Sequence, residues 1–123
     1  REALHAVFAA VSNKRVPPNA ALNTVNAEIG SALGHARLKP EKGHLVWDWD
    51  APAMLAAPLW PIVRDAGELL TSGELDRLAE CASKTCGWLF LDLSKNHSRR
   101  WCNMRGCGNR DKVRRYREHI SHQ

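Results

Sequence analysis

The sequence predicts a mainly α-helical chain with small β hairpins, in which a helical N-terminal domain is followed by a compact four-cysteine module. Three observations predict it. Apolar residues recur at three- and four-residue spacing through most of the first eighty positions, the signature of helices with one buried face. All four cysteines fall between Cys81 and Cys107. The chain carries a net charge of +5, and its excess of cations is confined to the last third.

The chain has 123 residues, 44% of them hydrophobic and 25% charged, an ordinary globular composition. No run of eighteen apolar residues occurs, which argues against a membrane span. Residues 1–81 hold 8 Lys/Arg and 10 Asp/Glu, whereas residues 82–123 hold 10 and 3. Such segregation points to a polyanionic partner at the C-terminal end, with a merely solvated basic tail as the plain alternative. The opening Arg1-Glu2-Ala3-Leu4 lacks a methionine and reads as a fragment.

In chain order, residues 1–11 place Leu4, Val7, Phe8 and Val11 on one helical face. Pro17-Pro18 breaks this helix, and Asn19 is positioned to cap a second. That helix runs from Ala20 to about Ala36, with Leu22, Val25, Ile29 and Leu33 inward. Gly30 and Gly34 are suited to a close helix approach. Residues 37–50 read as a short hairpin, with Glu41-Lys42-Gly43 as the turn and Leu45, Trp47 and Trp49 alternating with Val46, Asp48 and Asp50; Pro52 ends it.

A third helix spans Leu55 to Leu70. Its regular part begins near Pro61, because proline is tolerated in a first turn and not in an interior. Leu59, Ile62, Val63, Ala66 and Leu69-Leu70 face inward. Glu74 to Ala79 is a short turn or helix leading to Cys81. No phosphate loop, His-Glu-x-x-His or Gly-x-Ser-x-Gly motif appears, and no nucleophile–base set, so an enzyme is the least favoured class. Asp48 and Asp50 read as an exposed strand face rather than a catalytic pair. His5, His35 and His44 read as surface or packing residues.

The cysteines follow the pattern Cys81-x4-Cys86-x15-Cys102-x4-Cys107. Two close pairs that converge from a distance form a tetrahedral thiolate set, which zinc accepts in structural sites, and four sulfurs leave no open position for catalysis. Gly87, Gly106 and Gly108 suit backbone that turns sharply beside the sulfurs. Two disulfides, free core cysteines, and replacement of one thiolate by His97 or His119 are the alternatives. One structural Zn²⁺ per chain is the expectation, since a module of about forty residues cannot bury enough apolar surface without a cross-link.

Between the pairs, Trp88-Leu89-Phe90-Leu91 reads as a strand, Asp92–Ser98 as a turn and Arg99-Arg100-Trp101 as the return strand. After Cys107, residues 109–120 read as a helix with Asn109 as its cap. Val113, Tyr116 and Ile120 form its apolar seam, with Tyr116 favoured for packing. Knuckle, hairpin, knuckle and helix make a treble-clef-like plan. The cations available to phosphate are Lys95, Arg99 and Arg100 in the turn region, and Arg110, Lys112, Arg114, Arg115 and Arg117 on the helix. Lys84, Arg99, Arg100 and Arg105 are near enough in sequence to offset the negative charge of a thiolate-bound ion.

The stretch Cys86-Gly87-Trp88-Leu89-Phe90-Leu91-Asp92, followed by Ser94-Lys95-Asn96, Ser98-Arg99-Arg100-Trp101-Cys102-Asn103-Met104 and Cys107-Gly108-Asn109-Arg110, resembles the CGNR zinc-finger family. Leu22-Asn23, Trp47-x-Trp49, Leu59-Trp60-Pro61, Ala66-x-x-Leu69-Leu70 and Asp76-Arg77 resemble the helical domain that usually precedes this finger. Residues 1–80 and 81–123 are accordingly expected to form these two domains, and the resemblance implies that the first begins upstream of Arg1. The resemblance implies a bacterial, cytoplasmic, stress-response transcription regulator. It implies zinc ligation by Cys81, Cys86, Cys102 and Cys107, and DNA binding by the surrounding basic residues. The N-terminal domain would take a small-molecule effector or mediate homo-oligomer assembly, with no membrane partner. A protein-interaction module with a purely structural zinc, and an RNA-binding module, are the competing readings.

Overall fold

A computed structural model of the chain describes residues 1–50 and 53–121. Helix α1 (Glu2–Ser12) and helix α2 (Asn19–Gly34) are followed by strands β1 (Ala36–Glu41) and β2 (His44–Trp49). A 3-10 turn at Ala57–Leu59 leads into helix α3 (Trp60–Thr71). A second 3-10 turn at Gly73–Arg77 precedes strand β3 (Leu78–Glu80), which is followed by strand β4 (Leu89–Leu91). A π-helical turn at Met104–Gly108 runs into helix α4 (Asn109–Ile120). The fold is thus mainly helical with two small antiparallel hairpins, followed by a four-cysteine, treble-clef-like finger.

Helix α2 packs between α1 and α3. The apolar centre comprises Val7 and Ala10 from α1, Val25 and Ala32 from α2, and Trp60, Val63 and Ala66 from α3. These residues recur every three or four positions because that interval returns a side chain to one helical face. Trp60 is fully buried and stacks on His35, with ring centroids 4.5 Å apart and planes 8° from parallel. His35 is therefore a packing residue.

Several sequence expectations shift by a residue or a face. Pro18, not Asn19, stands at the N-terminal boundary of α2, and Asn19 lies inside the helix without a side-chain cap. Leu33 is half exposed while Ala32 is buried, because the small alanine lets neighbouring elements come close. The helix approach occurs at Gly67 of α3, where an added Cβ would lie 3.3 Å from Ile29 Cδ1, whereas Gly30 and Gly34 face open space. Helix α3 starts at Trp60 with Pro61 in its first turn. Leu55, Leu59 and Ile62 are exposed, so the inward face is carried by Trp60, Val63 and Ala66.

The β1–β2 hairpin pairs Glu41 with His44 and Ala36 with Trp49. Lys42 and Gly43 form its two-residue turn, both with positive φ (48° and 84°), the backbone that matches the twist of the flanking strands. Asp50 is engaged with Arg37, in keeping with a surface role, and Pro52 lies outside the described residues. Among the described residues, no helix is long and apolar enough to cross a membrane.

The second hairpin departs from expectation. Strand β4 pairs with β3, in the register Leu78↔Leu91, Ala79↔Phe90 and Glu80↔Leu89, and not with Arg99–Trp101. The ladder continues at both ends, where Cys81 N donates to Trp88 O (2.8 Å) and Asp92 N donates to Arg77 O (2.7 Å). Residues 78–91 are therefore one hairpin whose tip carries the first cysteine pair. Segment 99–101 lies beside it, and Ala82 N donates to Arg100 O at 2.8 Å.

The helices hold this hairpin directly. His5 Nε2 donates to Gly87 O (2.9 Å), and Asn13 Nδ2 donates to Glu80 Oε2 (2.9 Å). Phe8, Leu69, Leu78, Leu89, Phe90 and Leu91 line a shallow, open hollow of about 210 Å³ at the junction. Apolar packing there joins α1 and the end of α3 to the β3–β4 pair.

Candidate metal centre and basic surface

Each cysteine is positioned by a backbone device that its local sequence dictates. The first pair sits on a turn closed by Cys86 N donating to Ser83 O (3.0 Å). Gly87 follows with φ of 62°, a conformation that a side chain makes costly. For the second pair, the Asn103 side chain accepts from Arg105 N (2.8 Å) and Gly106 N (3.3 Å). This caps the π-helical turn that carries Cys107 into α4. Asn103, and not Asn109, is the capping residue, and it satisfies amides that the start of a helix leaves without partners.

Gly106 and Gly108 do not adopt positive φ. At Gly108 an added Cβ would lie 2.6 Å from Met104 Sδ and 3.6 Å from Trp101 Cε3, so the half-exposed Met104 side chain would have to swing aside.

The four Sγ atoms all lie within 4.8 Å of one another. Cys86 and Cys102 sulfurs are 3.7 Å apart, and those of Cys102 and Cys107 are 3.8 Å apart. These separations exceed the ~2.05 Å of a disulfide bond, and all four residues are free cysteines. Ligands at ~2.3 Å from a tetrahedral Zn²⁺ sit nearly four ångström from each other, so the donor set fits one structural metal ion. Cys81 and Cys107 are buried, whereas Cys86 and Cys102 are partly open. The Cys102 amide also approaches Cys81 Sγ at 3.5 Å, a backbone donor suited to a thiolate.

Cations shape this centre. Arg110 Nη2 donates to Cys107 Sγ at 3.2 Å, and that guanidinium lowers the Cys107 thiol to about 7. Burial, reinforced by the neighbouring Cys86 sulfur, pushes Cys102 up to about 12. A doubly charged ion would remove these protons as it bound. Arg99 donates to the carbonyls of Trp101 and Cys102 and lies 4.6 Å from the Phe90 ring centroid. It braces the backbone of the second pair.

Asp92 is the buried acidic residue of this region. Its Oδ1 accepts from Ser94 N (2.9 Å) and its Oδ2 from Arg99 N (2.8 Å), closing the turn ahead of Cys102. Hydrogen bonding to Ser94, joined by the Arg99 amide, holds its carboxyl below the usual range. Ser94 Oγ accepts from Ser98 N (3.3 Å), and His97 takes a positive φ of 48°.

The eight cations expected to face phosphate therefore divide. Arg110 is turned to Cys107 and Arg99 to backbone carbonyls. Arg114 and Arg115 both clasp Asp111, the former at 2.6 Å, and Arg114 also reaches Glu118 at 3.3 Å. Arg100 lies over the Trp101 ring at 5.2 Å. Lys95, Arg100, Lys112 and Arg117 are exposed and, among the described residues, make no ion pair. The expected apolar seam of α4 is not buried either: Val113, Tyr116 and Ile120 are 42%, 68% and 54% exposed. Among the described residues no other element covers this face, and Tyr116 is not a core residue.

Sequence reading missed three participants: Asn103 as a cap, Arg110 as a thiolate partner, and Asp111 as an arginine clasp. The signal for the last two was helical spacing, since Arg110 is three residues after Cys107, and Arg114 and Arg115 are three and four after Asp111.

Away from the metal centre, a hollow of about 440 Å³ opens between α1, α2 and α3. Leu4, Val25, Leu59, Ile62 and Val63 wall it, with Thr24 and Glu28 contributing polar atoms.

Comparison with protein families places the chain in two adjoining matches. Residues 77–119 match the family described as "CGNR zinc finger". Residues 1–73 match the family described as "Putative stress-induced transcription regulator". No curated protein matches the chain.

Proposed function

The chain belongs to the stress-induced transcription regulator family in which a helical domain precedes a CGNR zinc finger, and on that premise we propose that it is a zinc-containing DNA-binding regulator. One Zn²⁺ held by Cys81, Cys86, Cys102 and Cys107 cross-links the finger, and the basic surface around it engages the DNA phosphates. Zinc bound by four sulfurs supplies structure and no open coordination position. The observation that carries the reading is the set of exposed cations Lys95, Arg100, Lys112 and Arg117, which make no ion pair among the described residues. They stand on a finger whose Arg99, Arg110, Arg114 and Arg115 are engaged by backbone carbonyls, sulfur or carboxylates; Lys84 and Arg105, also exposed and without an ion pair among the described residues, lie beside the cysteines. Side chains already held by carboxylates or sulfur gain little from phosphate, whereas unpaired ones release counterions from DNA on binding.

The apolar hollow between α1, α2 and α3 supports the effector role of the helical domain, since its size and lining suit a small, largely apolar molecule. The contacts from His5 and Asn13 to the finger give such a molecule a physical route to the DNA-binding end.

The test is the affinity of the zinc-loaded protein for a duplex as a function of salt. If Lys95, Arg100, Lys112 and Arg117 all reach phosphates, the logarithm of affinity should fall against the logarithm of salt with a slope of about −3.6, at ~0.9 per phosphate. A zinc-loaded protein that binds no duplex at low salt would sink the DNA reading and favour an acidic protein partner. Preferential binding of RNA in direct competition would transfer the same surface to RNA.

A further inference from the structure

Helix α4 is amphipathic, yet its apolar side faces solvent. Val113, Tyr116 and Ile120 fall on one stripe at three- and four-residue spacing, and each is substantially exposed. Lys112 borders this stripe on one side and Arg117 on the other, as helical periodicity requires. The acidic residues Asp111 and Glu118 lie toward the opposite side, where they are occupied by Arg114 and Arg115. That side turns toward the first cysteine turn, across a hollow of about 230 Å³ lined by Ser83, Lys84, Thr85, Arg110, Asp111 and Arg114. The helix has therefore sorted its charges: Asp111 is turned inward and Glu118 lies on that same side, held by Arg114, while apolar groups and unpaired cations face outward.

We propose that this outward face of α4 enters the major groove of duplex DNA, where Val113, Tyr116 and Ile120 press against base edges while Lys112 and Arg117 hold the two flanking phosphate strands. The inference rests on the DNA-binding reading above and adds to it the surface and the mode of contact. Charge complementarity selects the occupant. A second copy of this helix would bring Lys112 and Arg117 against the same cations, and the carboxylates that could answer them lie on the far side. A duplex supplies phosphates at both borders and apolar thymine methyls between them.

Dimensions agree as well. Twelve residues make a rod of about 18 Å, and the major groove, about 12 Å wide, admits one α-helix. The rod is fixed at its N-terminal end by Cys107 and the turn that Asn103 caps, so its outer face meets the groove preformed. Apolar side chains against base edges discriminate among sequences, whereas lysine and arginine on phosphate do not.

The experiment uses the zinc-loaded chain and a duplex enriched by it from a random-sequence pool, compared with a scrambled duplex of equal length. The triple variant Val113→Ala, Tyr116→Ala, Ile120→Ala replaces three residues by the best helix former, so its helicity and zinc content should be retained. It should lose about tenfold or more of the preference for the enriched duplex and keep the wild-type salt slope. The double variant Lys112→Gln, Arg117→Gln should weaken both duplexes alike and reduce the slope by about 1.8. Arg114→Gln, on the opposite side, should leave the preference unchanged. Undiminished preference in the triple variant, or a pool from which no sequence is enriched, overturns this inference while leaving phosphate-driven DNA binding intact. Failure of the wild-type protein to bind any duplex overturns both.

Discussion

Replacing Arg110 by glutamine separates support of the metal from contact with DNA. The guanidinium lies 3.2 Å from Cys107 Sγ and lowers that thiol to about 7. In the metal-free protein, a group with that value is about half ionised at pH 7. Without the guanidinium the value rises, and more of the thiol is protonated at that pH. Zinc must then displace more proton from Cys107, which weakens its apparent affinity at pH 7. Loss of an outer donor from a metal-bound ligand commonly costs ~10–100-fold, which is the size expected here.

The sign with pH follows from the direction of the shift. A depressed thiol value helps most where an ordinary thiol is still protonated, so the deficit of Arg110→Gln should shrink as pH rises from 7 to 9. Zinc affinity measured by competition with a chromophoric chelator at both pH values is the assay, with circular dichroism to confirm a folded chain. Unchanged affinity at pH 7, or a deficit of equal size at pH 9, would refute the argument that Arg110 acts by stabilising the thiolate.

Cys102→Ser should reduce zinc to well below one ion per chain and unfold residues 78–120, since metal ligation supplies ~10–16 kcal/mol to modules of this kind; metal analysis and proteolysis report both effects, and full zinc content would contradict the ligand set. Trp60→Ala should destabilise the helical domain by about 3–5 kcal/mol, read from denaturant unfolding, because the indole is fully buried against His35. Asp92→Asn should lower the thermal midpoint of the finger at neutral pH, because a neutral amide accepts the Ser94 and Arg99 amides less strongly than a carboxylate. Asp92 has a depressed folded value, so its contribution is present above the unfolded value near ~3.9 and fades as pH falls through the folded one. The gap between wild type and variant should therefore close in acid, and a gap that widens there would count against the role assigned to Asp92.

Much of the centre was legible because metal ligation uses short-range sequence. Cys81, Cys86, Cys102 and Cys107 are recognisable by type and spacing, and their sulfurs do converge. The helices at 1–11, 61–70 and 109–120 were legible for a related reason: helical hydrogen bonds join residues four apart, so their periodicity is local. Pro61 marked the first turn of α3, and Lys42-Gly43 marked a turn.

Strand partners were not legible, since a short apolar run such as Leu89–Leu91 carries no information about which neighbour it pairs with. Leu78–Glu80 won over Arg99–Trp101 because its backbone continues through Cys81 to the ladder at Trp88, and because Asp92 draws Arg99 into a turn. The roles of the arginines were signalled only by helical spacing and not by composition. Composition counts Arg110, Arg114 and Lys112 as equivalent charges, yet one is spent on sulfur, one on Asp111 and one on neither.

By itself, then, the sequence determined the metal-ligand set, the helical periodicity and the segregation of charge, because each depends on residue type and near-neighbour spacing. Only the tertiary structure decided that the apolar face of α4 lies open and that α1 grips the finger through His5 and Asn13. Those outcomes depend on distances between residues far apart in the chain. Gly87 is 82 positions from His5, and no local pattern encodes a contact set by how whole elements pack.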